Sequence, residues 1–404
     1  MDLSQKLKAF VSSEKLTDTR SPADTAGADT NAWGGRQVSN AFGSCCLIET
    51  RYVLPHQHGT SQLYDVLGCA SVGLEMLLRE PRAASLDLSK TVFLDTETTG
   101  LAGGTGTYAF LVGFGFFAAR EFVIRQYMMR DFPEELAMLE CLHEELATVQ
   151  TLVTFNGRSF DWPLLRDRFL LSRVHPPPIV ELHLDLLAAA RRLWRHELPS
   201  CSLQTLEKTI LGVRREGDVP GAEVPQRYFA YLQSGDSTLL DDVLHHNTLD
   251  ILSLAALYSA LSKRGTASPK SLCWSSEAEG IARLHAEAGR HMTALRYYDR
   301  AIDLAADRKT VRRLLLAISF CYKRLDRFDR AEPIWHALMD DVPVCCEELA
   351  KYYEHRTKDL ARALHAAEHG LRLAERLQPQ ASERFRHRIS RLKRSTRSGA
   401  GLPG

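Results

Sequence analysis

The stretch Thr91–Gly100 reads TVFLDTETTG, a short apolar run of Val92, Phe93 and Leu94 that ends in two acids one residue apart. In an extended chain residues i and i+2 point to one face, so Asp95 and Glu97 would present two carboxylates side by side at a strand end. Oxygen donors of that kind suit a hard divalent cation such as Mg2+ or Mn2+, and two such ions about 4 Å apart can activate a water and stabilise a leaving phosphate oxygen. The competing reading is a strand running out into a polar turn, and the rest of the chain is needed to choose.

Upstream, Ser44 to Leu54 (SCCLIETRYVL) has the β-branched and aromatic content of a strand. His56 and His58 follow it without a third ligand, which favours a polar turn over a metal site. Asp65 to Arg79 reads as a helix closed by Pro81. Downstream, the run LAGGTGTY lacks the G-K-[ST] of a phosphate-cradling loop, so its glycines serve close backbone approach rather than triphosphate binding. Tyr108–Phe117 and Glu121–Met129 read as two strands joined by a short turn. A helix follows, with Asp131 as its cap, Pro133 in its first turn and an apolar face of Leu136, Leu139, Leu142, Leu146 and Val149. Thr151–Phe155 (TLVTF) then has the character of a buried parallel strand after a crossover helix. Together these elements predict an α/β sheet.

Ligands of open α/β sheets sit outside strand ends, where Asn156-Gly-Arg-Ser-Phe160-Asp161 follows the last of these strands. Asp161 is thus a third candidate ligand, although Pro163 just inside a helix also makes it a natural cap. A strand-like IVELHLDLL carrying Asp185 and a helix with Arg191, Arg192 and Arg195 come next. The long helical pattern Asp236–Ser262 contains His245-His246-Asn247-Thr248-Leu249-Asp250. At 100° per residue His246 and Asp250 share a face and His245 is rotated off it, which makes His246 the candidate base.

The ordered set Asp95-x-Glu97, Asn156-x-x-x-Phe160-Asp161 and His246-x-x-x-Asp250 resembles the DnaQ-like 3'-5' exonucleases, the DEDD branch of the ribonuclease H-like fold, over roughly residues 90 to 263. The resemblance implies that Asp95, Glu97, Asp161 and Asp250 hold two Mg2+ or Mn2+ ions. It also implies that Thr98, Gly100, Leu101, Asn156 and Phe160 belong to the substrate site. The family places a tyrosine four residues before the last aspartate or a histidine five before it, whereas here both positions are histidine, so His245 stays open beside His246. The run LWRHELPSCSLQTLEKTILGVRREGDVPGAEVPQRYFAYL with HHNTLDILSL is similar to the bacterial YprB-type ribonuclease H-like proteins. That similarity implies a nuclease with a helical appendage and supplies no substrate.

From Ser275 the chain turns helical, and Ala294, Ala331 and Ala363 recur near the 34-residue tetratricopeptide period, each followed four residues on by Tyr298, Trp335 or Ala367. Stacked helices of this kind bind a protein partner or cap the neighbouring domain. The expected fold is therefore a ribonuclease H-like mixed β-sheet flanked by helices, followed by an all-α tetratricopeptide-like domain. The expected organisation is a largely disordered segment 1–43, an N-terminal extension 44–89, a nuclease domain 90–263, helical repeats 275–380 and a basic disordered tail 381–404. With 51 Lys and Arg against 50 Asp and Glu, the chain has no uniformly basic surface, so contact with nucleic acid would be local. The nine cysteines lack zinc spacing, and no apolar run approaches about 18 residues, which predicts buried thiols, no membrane contact and a cytoplasmic location. The expected function is metal-dependent hydrolysis of DNA or RNA from a 3' end. The rival is a nucleic-acid-binding module that recruits a partner through its repeats.

Overall fold

Strand β5, Thr91–Thr98, is central to the sheet, and its four leading residues are buried because both faces are covered. The computed structural model describes residues 32–69, 71–100 and 106–399. The other strands are β1 (Arg36–Asn40), β2 (Gly43–Val53), β6 (Ala109–Ala118), β7 (Glu121–Met128), β8 (Thr151–Thr154) and β9 (Leu182–Asp185), and the sheet order is β1-β2-β7-β6-β5-β8-β9. A separate hairpin pairs β3 (Gln57–His58) with β4 (Ser61–Gln62). Neighbours β5 and β6 run antiparallel, with Asp95 opposite Gly113 and Glu97 opposite Leu111. On its other side β5 pairs in parallel with β8, Phe93 opposite Val153, as a crossover through the helix Glu135–Leu146 requires. This is the α/β sheet that the strand pattern predicts, in the mixed ribonuclease H-like form that the resemblance implies.

The chain forms two compact units that interleave in sequence. Among the described residues, the first comprises those within 1–56, 87–183 and 215–254, the second those within 57–86, 184–214 and 255–404. In the first, Leu94, Phe110, Val112, Leu139, Leu142, Leu152 and Phe169 meet in one apolar core between sheet and helices. Phe110 stacks on Tyr228 of the helix Val224–Ser234 with ring centroids 3.9 Å apart. Of the apolar face foreseen on Glu135–Leu146, Leu139, Leu142 and Leu146 are buried while Leu136 lies at the exposed rim. The helix Asp161–Ser172 is tied down by Arg168, whose guanidinium makes two bonds to the Glu135 carboxylate, at 2.5 and 2.6 Å, and lies over the Tyr108 ring. Planar donors meeting a planar carboxylate fix angle as well as distance, so this pair sets how Asp161 is presented.

The second unit is mainly helical. Trp194, fully buried on the helix Leu186–Trp194, donates to Glu277 at 2.9 Å, and Gly73 lies so close to the Ser262 carbonyl that a Cβ would stand 2.0 Å from it. The helices Ser275–Glu287, His291–Asp303, Arg308–Arg324, Phe328–Leu338, Pro343–Tyr352, Leu360–Leu377 and Ser382–Gly399 succeed one another. Ala294, Tyr298, Ala331, Trp335, Ala363 and Ala367 are all buried.

Three expectations are corrected. Residues 36–43, foreseen within a disordered segment, form β1 and the turn into β2, because the partner edge of β2 supplies the hydrogen bonds that the polar sequence cannot arrange alone. The helix expected over Asp65–Arg79 is two short helices, Tyr64–Leu67 and Val72–Leu78, the first ending at Gly68. The basic tail foreseen from 381 is the helix Ser382–Gly399: Phe385 and Leu392 are buried seven residues apart, and Arg388 and Arg391 pair with Glu354 at 2.7 and 2.6 Å. An apolar stripe that sparse is hidden by the surrounding charge.

Candidate active site

Five side chains foreseen from the sequence come together within the first unit, supplied by three elements. β5 provides Asp95 and Glu97, the start of Asp161–Ser172 provides Asp161, and the helix Asp241–Gly265 provides His246 and Asp250. Burial raises the Asp95 carboxyl well above its ordinary range, and the negative charges of Asp250, Glu97 and Asp161 raise it further. Glu97 is raised by burial and then by Asp250, Asp161 and Asp218. Asp95 and Glu97 thus both feel the negative charges of Asp161 and Asp250.

Asp161 is the first residue of its helix and Phe160 takes the cap position, so the capping reading does not describe it. Its carboxylate accepts from the Thr96 hydroxyl at 2.5 Å. His246 is 6 % exposed, and its Nε2 lies 3.7 Å from Asp250 and 3.9 Å from Glu97. His245, one residue back, is exposed, as the helix rotation predicts.

Four residues of the site were not foreseen. Asn247 is fully buried and donates to the Asp95 carboxylate at 2.8 Å, while its own amide oxygen accepts from Gln126 at 2.9 Å. Asp218 accepts at 2.7 Å from the His246 ring, and Arg215 pairs with Asp218 at 3.0 Å and with Asp250. Thr96 holds Asp161 as described. Arg215 and Asp218 belong to the stretch GVRREGDVPG, where a polar loop composition carries no signal of inward-pointing charge.

The approach of Asn247 to the sheet depends on Gly113, opposite Asp95, where a Cβ would stand 2.0 Å from the Asn247 amide oxygen and 2.7 Å from Ile251. Gly113→Ala is therefore expected to push the helix from the sheet at about 1–3 kcal/mol of stability. A lowered melting temperature checks this, and a variant melting like wild type would show that the helix can move without loss.

Beside the acids opens a pocket of about 460 Å3, lined by Glu97, Thr98, Gly100, Ser159, Phe160, Asp161 and Asp167 among others. Phe160 is 52 % exposed at its edge. Asn156 is not among the lining residues; its left-handed backbone (φ 67°) starts the tight turn in which Ser159 N–H donates to its carbonyl. Leu101 lies outside the described residues.

Nucleases of the ribonuclease H-like type generally use divalent metal ions. The donor set fits such an ion: the four carboxylates are hard oxygen donors, and the negative charges of Asp161 and Asp250 raise Asp95 and Glu97. Among the described residues no group of three or more His, Cys, Asp or Glu side chains is closed around one ion position. One oxygen of each of three carboxylates has a protein partner: Asn247 holds Asp95, Thr96 holds Asp161 and Arg215 holds Asp250.

Residues 92–262 match a model described as belonging to the RNase_H superfamily. The chain is 35% identical over 360 residues to YprB of Bacillus subtilis (strain 168), covering 87% of this chain and 86% of that protein. Among solved structures, the family B DNA polymerase of Pyrobaculum calidifontis is matched at 15% identity with a TM-score of 0.32, covering 49% of this chain and 29% of the polymerase. The identity and coverage shared with the Bacillus protein, together with the match over residues 92–262, show that this chain belongs to the YprB family of the ribonuclease H superfamily.

Proposed function

We propose that the protein hydrolyses phosphodiester bonds of nucleic acid from a 3' end, with divalent cations held by Asp95, Glu97, Asp161 and Asp250. The observation that carries this reading is the meeting of these four acids and one buried histidine at the end of β5, beside an open pocket. When bound, the cations would polarise the phosphate and neutralise charge on the leaving oxygen.

The remaining steps belong to the chain's own side chains. His246 takes a proton from a water through Nε2, the water oxygen bonds to phosphorus, and the bond from phosphorus to the 3' oxygen of the preceding nucleotide breaks, that oxygen gaining a proton from solvent. Phe160, exposed at the pocket edge, offers a face on which the terminal base can stack, which suits any base. Thr98 and Gly100 also line the pocket, braced by the Thr98 hydroxyl donating to the Gly100 carbonyl at 2.8 Å.

The test uses the full chain with Mg2+ or Mn2+ and single- and double-stranded DNA and RNA labelled at the 5' end. Stepwise shortening that stops when the 3' end is blocked is the expected result. Internal cuts on blocked substrates would replace the exonuclease with an endonuclease, and intact substrates under both ions would remove the nuclease reading.

A further inference from the structure

The loop that precedes the helix Val224–Ser234 holds Arg215 and Asp218 against His246, and its anchorage is specific. Val219, next to Asp218, is 1 % exposed in the core of the first unit, and Gly217 on the other side adopts φ 69°, a turn that a side chain would strain. Asp218 therefore points inward because its neighbours are held. The side chains of Arg215, Asp218 and His246 are 7, 10 and 8 % exposed.

We infer that Asp218 is a positioning residue that fixes the proton of His246 on Nδ1 and so leaves Nε2 free to accept one. An ionised carboxylate can only accept, and Asp218 Oδ1 lies 2.7 Å from Nδ1, so Nδ1 carries the hydrogen. The Arg215 guanidinium can only donate. Its Nη1 is 3.3 Å from the same ring nitrogen but 3.0 Å from Asp218 Oδ2, so its hydrogen goes to Asp218 and not to the ring. In the neutral ring the lone pair then sits on Nε2, the nitrogen that faces Glu97 and Asp250. A histidine whose other nitrogen is held by a carboxylate is fixed in tautomer and orientation together. This inference rests on the catalytic reading of His246 for its consequence, but the tautomer itself is observable without any reaction.

The experiment reads both. Full-length protein with 15N-labelled histidine, free of metal and in alkaline buffer where imidazole is neutral, is examined by two-bond 1H–15N correlation, with His246 assigned by its loss in His246→Gln. The expected result is a protonated Nδ1 in the native protein. Asp218→Asn should shift the proton toward Nε2, because the amide can donate as well as accept. The same variant should lower kcat on a 5'-labelled oligonucleotide about 10²-fold or more with KM little changed, as loss of base assistance requires. Asp218→Glu, which restores a carboxylate acceptor, should recover part of the Nδ1–H signal. A native His246 protonated on Nε2, or an Asp218→Asn variant with unchanged tautomer and kcat, overturns the inference. If the tautomer is as expected but no substrate is cut, the nuclease reading fails and the positioning by Asp218 stands.

Discussion

Replacing Asp95 with asparagine is expected to abolish cation-dependent hydrolysis while raising the melting temperature of the metal-free protein. Both effects have one origin. Asp95 is held above the ordinary aspartate value of 3.8 by burial and then by Asp250, Glu97 and Asp161, and Glu97 above 4.5 by burial and its acidic neighbours. Below those ordinary values both groups are protonated in the folded and the unfolded chain, and the cluster carries no penalty. As pH rises, the unfolded chain releases these protons first, so stability falls through the window up to the raised folded values and stays low beyond it. A cation that binds only the folded chain restores it.

The asparagine amide would keep an oxygen that can accept from Asn247 and would remove one charge, so Asp95→Asn should flatten this decline, by about 2–4 °C for each ~1 kcal/mol recovered. Its rate should fall by about 10³-fold or more, since the bound ion supplies several kcal/mol and each ~1.4 kcal/mol is tenfold. Calorimetry in chelator across acid to neutral pH, with and without Mn2+, reads the first effect. A metal-free wild type whose stability does not fall in that window, and which Mn2+ does not stabilise, would remove the cation site.

His246→Ala is expected to lower the rate about 10²- to 10⁴-fold, the usual worth of a positioned base, with cation-induced stabilisation largely kept. His245→Ala is expected to do little. The contrast follows from placement: His246 is 6 % exposed with Nε2 3.7 Å from Asp250, whereas His245 faces outward on the same helix. In the histidine branch of the exonucleases that the chain resembles, the base corresponds to His245. Rates of the two variants at saturating Mn2+ decide between them, and a large loss confined to His245→Ala would return the chain to that pattern.

Much of the sheet was legible because it is written in short apolar strands and a helix of regular period. TVFLDTETTG placed Asp95 and Glu97 on β5, TLVTF placed the parallel neighbour β8, and the rotation of an α-helix alone put His246 beside Asp250 and turned His245 away. Local pattern suffices where side chains alternate or recur along a single element. It also left Asp161 between two roles that composition cannot separate; in the fold the residue sits inside its helix rather than capping it, and it bonds to Thr96 on a distant strand.

What the sequence by itself determined, then, is the central strands and helices of the sheet and which acids stand at their ends. Only the tertiary structure decided what surrounds those acids. Asn247 reaches Asp95 because Gly113, 134 residues earlier, leaves room for it (247 minus 113). Asp218 reaches His246 because a buried Val219 and a left-handed Gly217 fold a polar loop inward. The edge strand β1 and the final helix formed where a partner surface supplied the hydrogen bonds and ion pairs that their own residues do not announce. Periodicity records how one element meets its own neighbours along the chain, whereas a hydrogen bond between loop and helix depends on a closing of distance that no single element encodes.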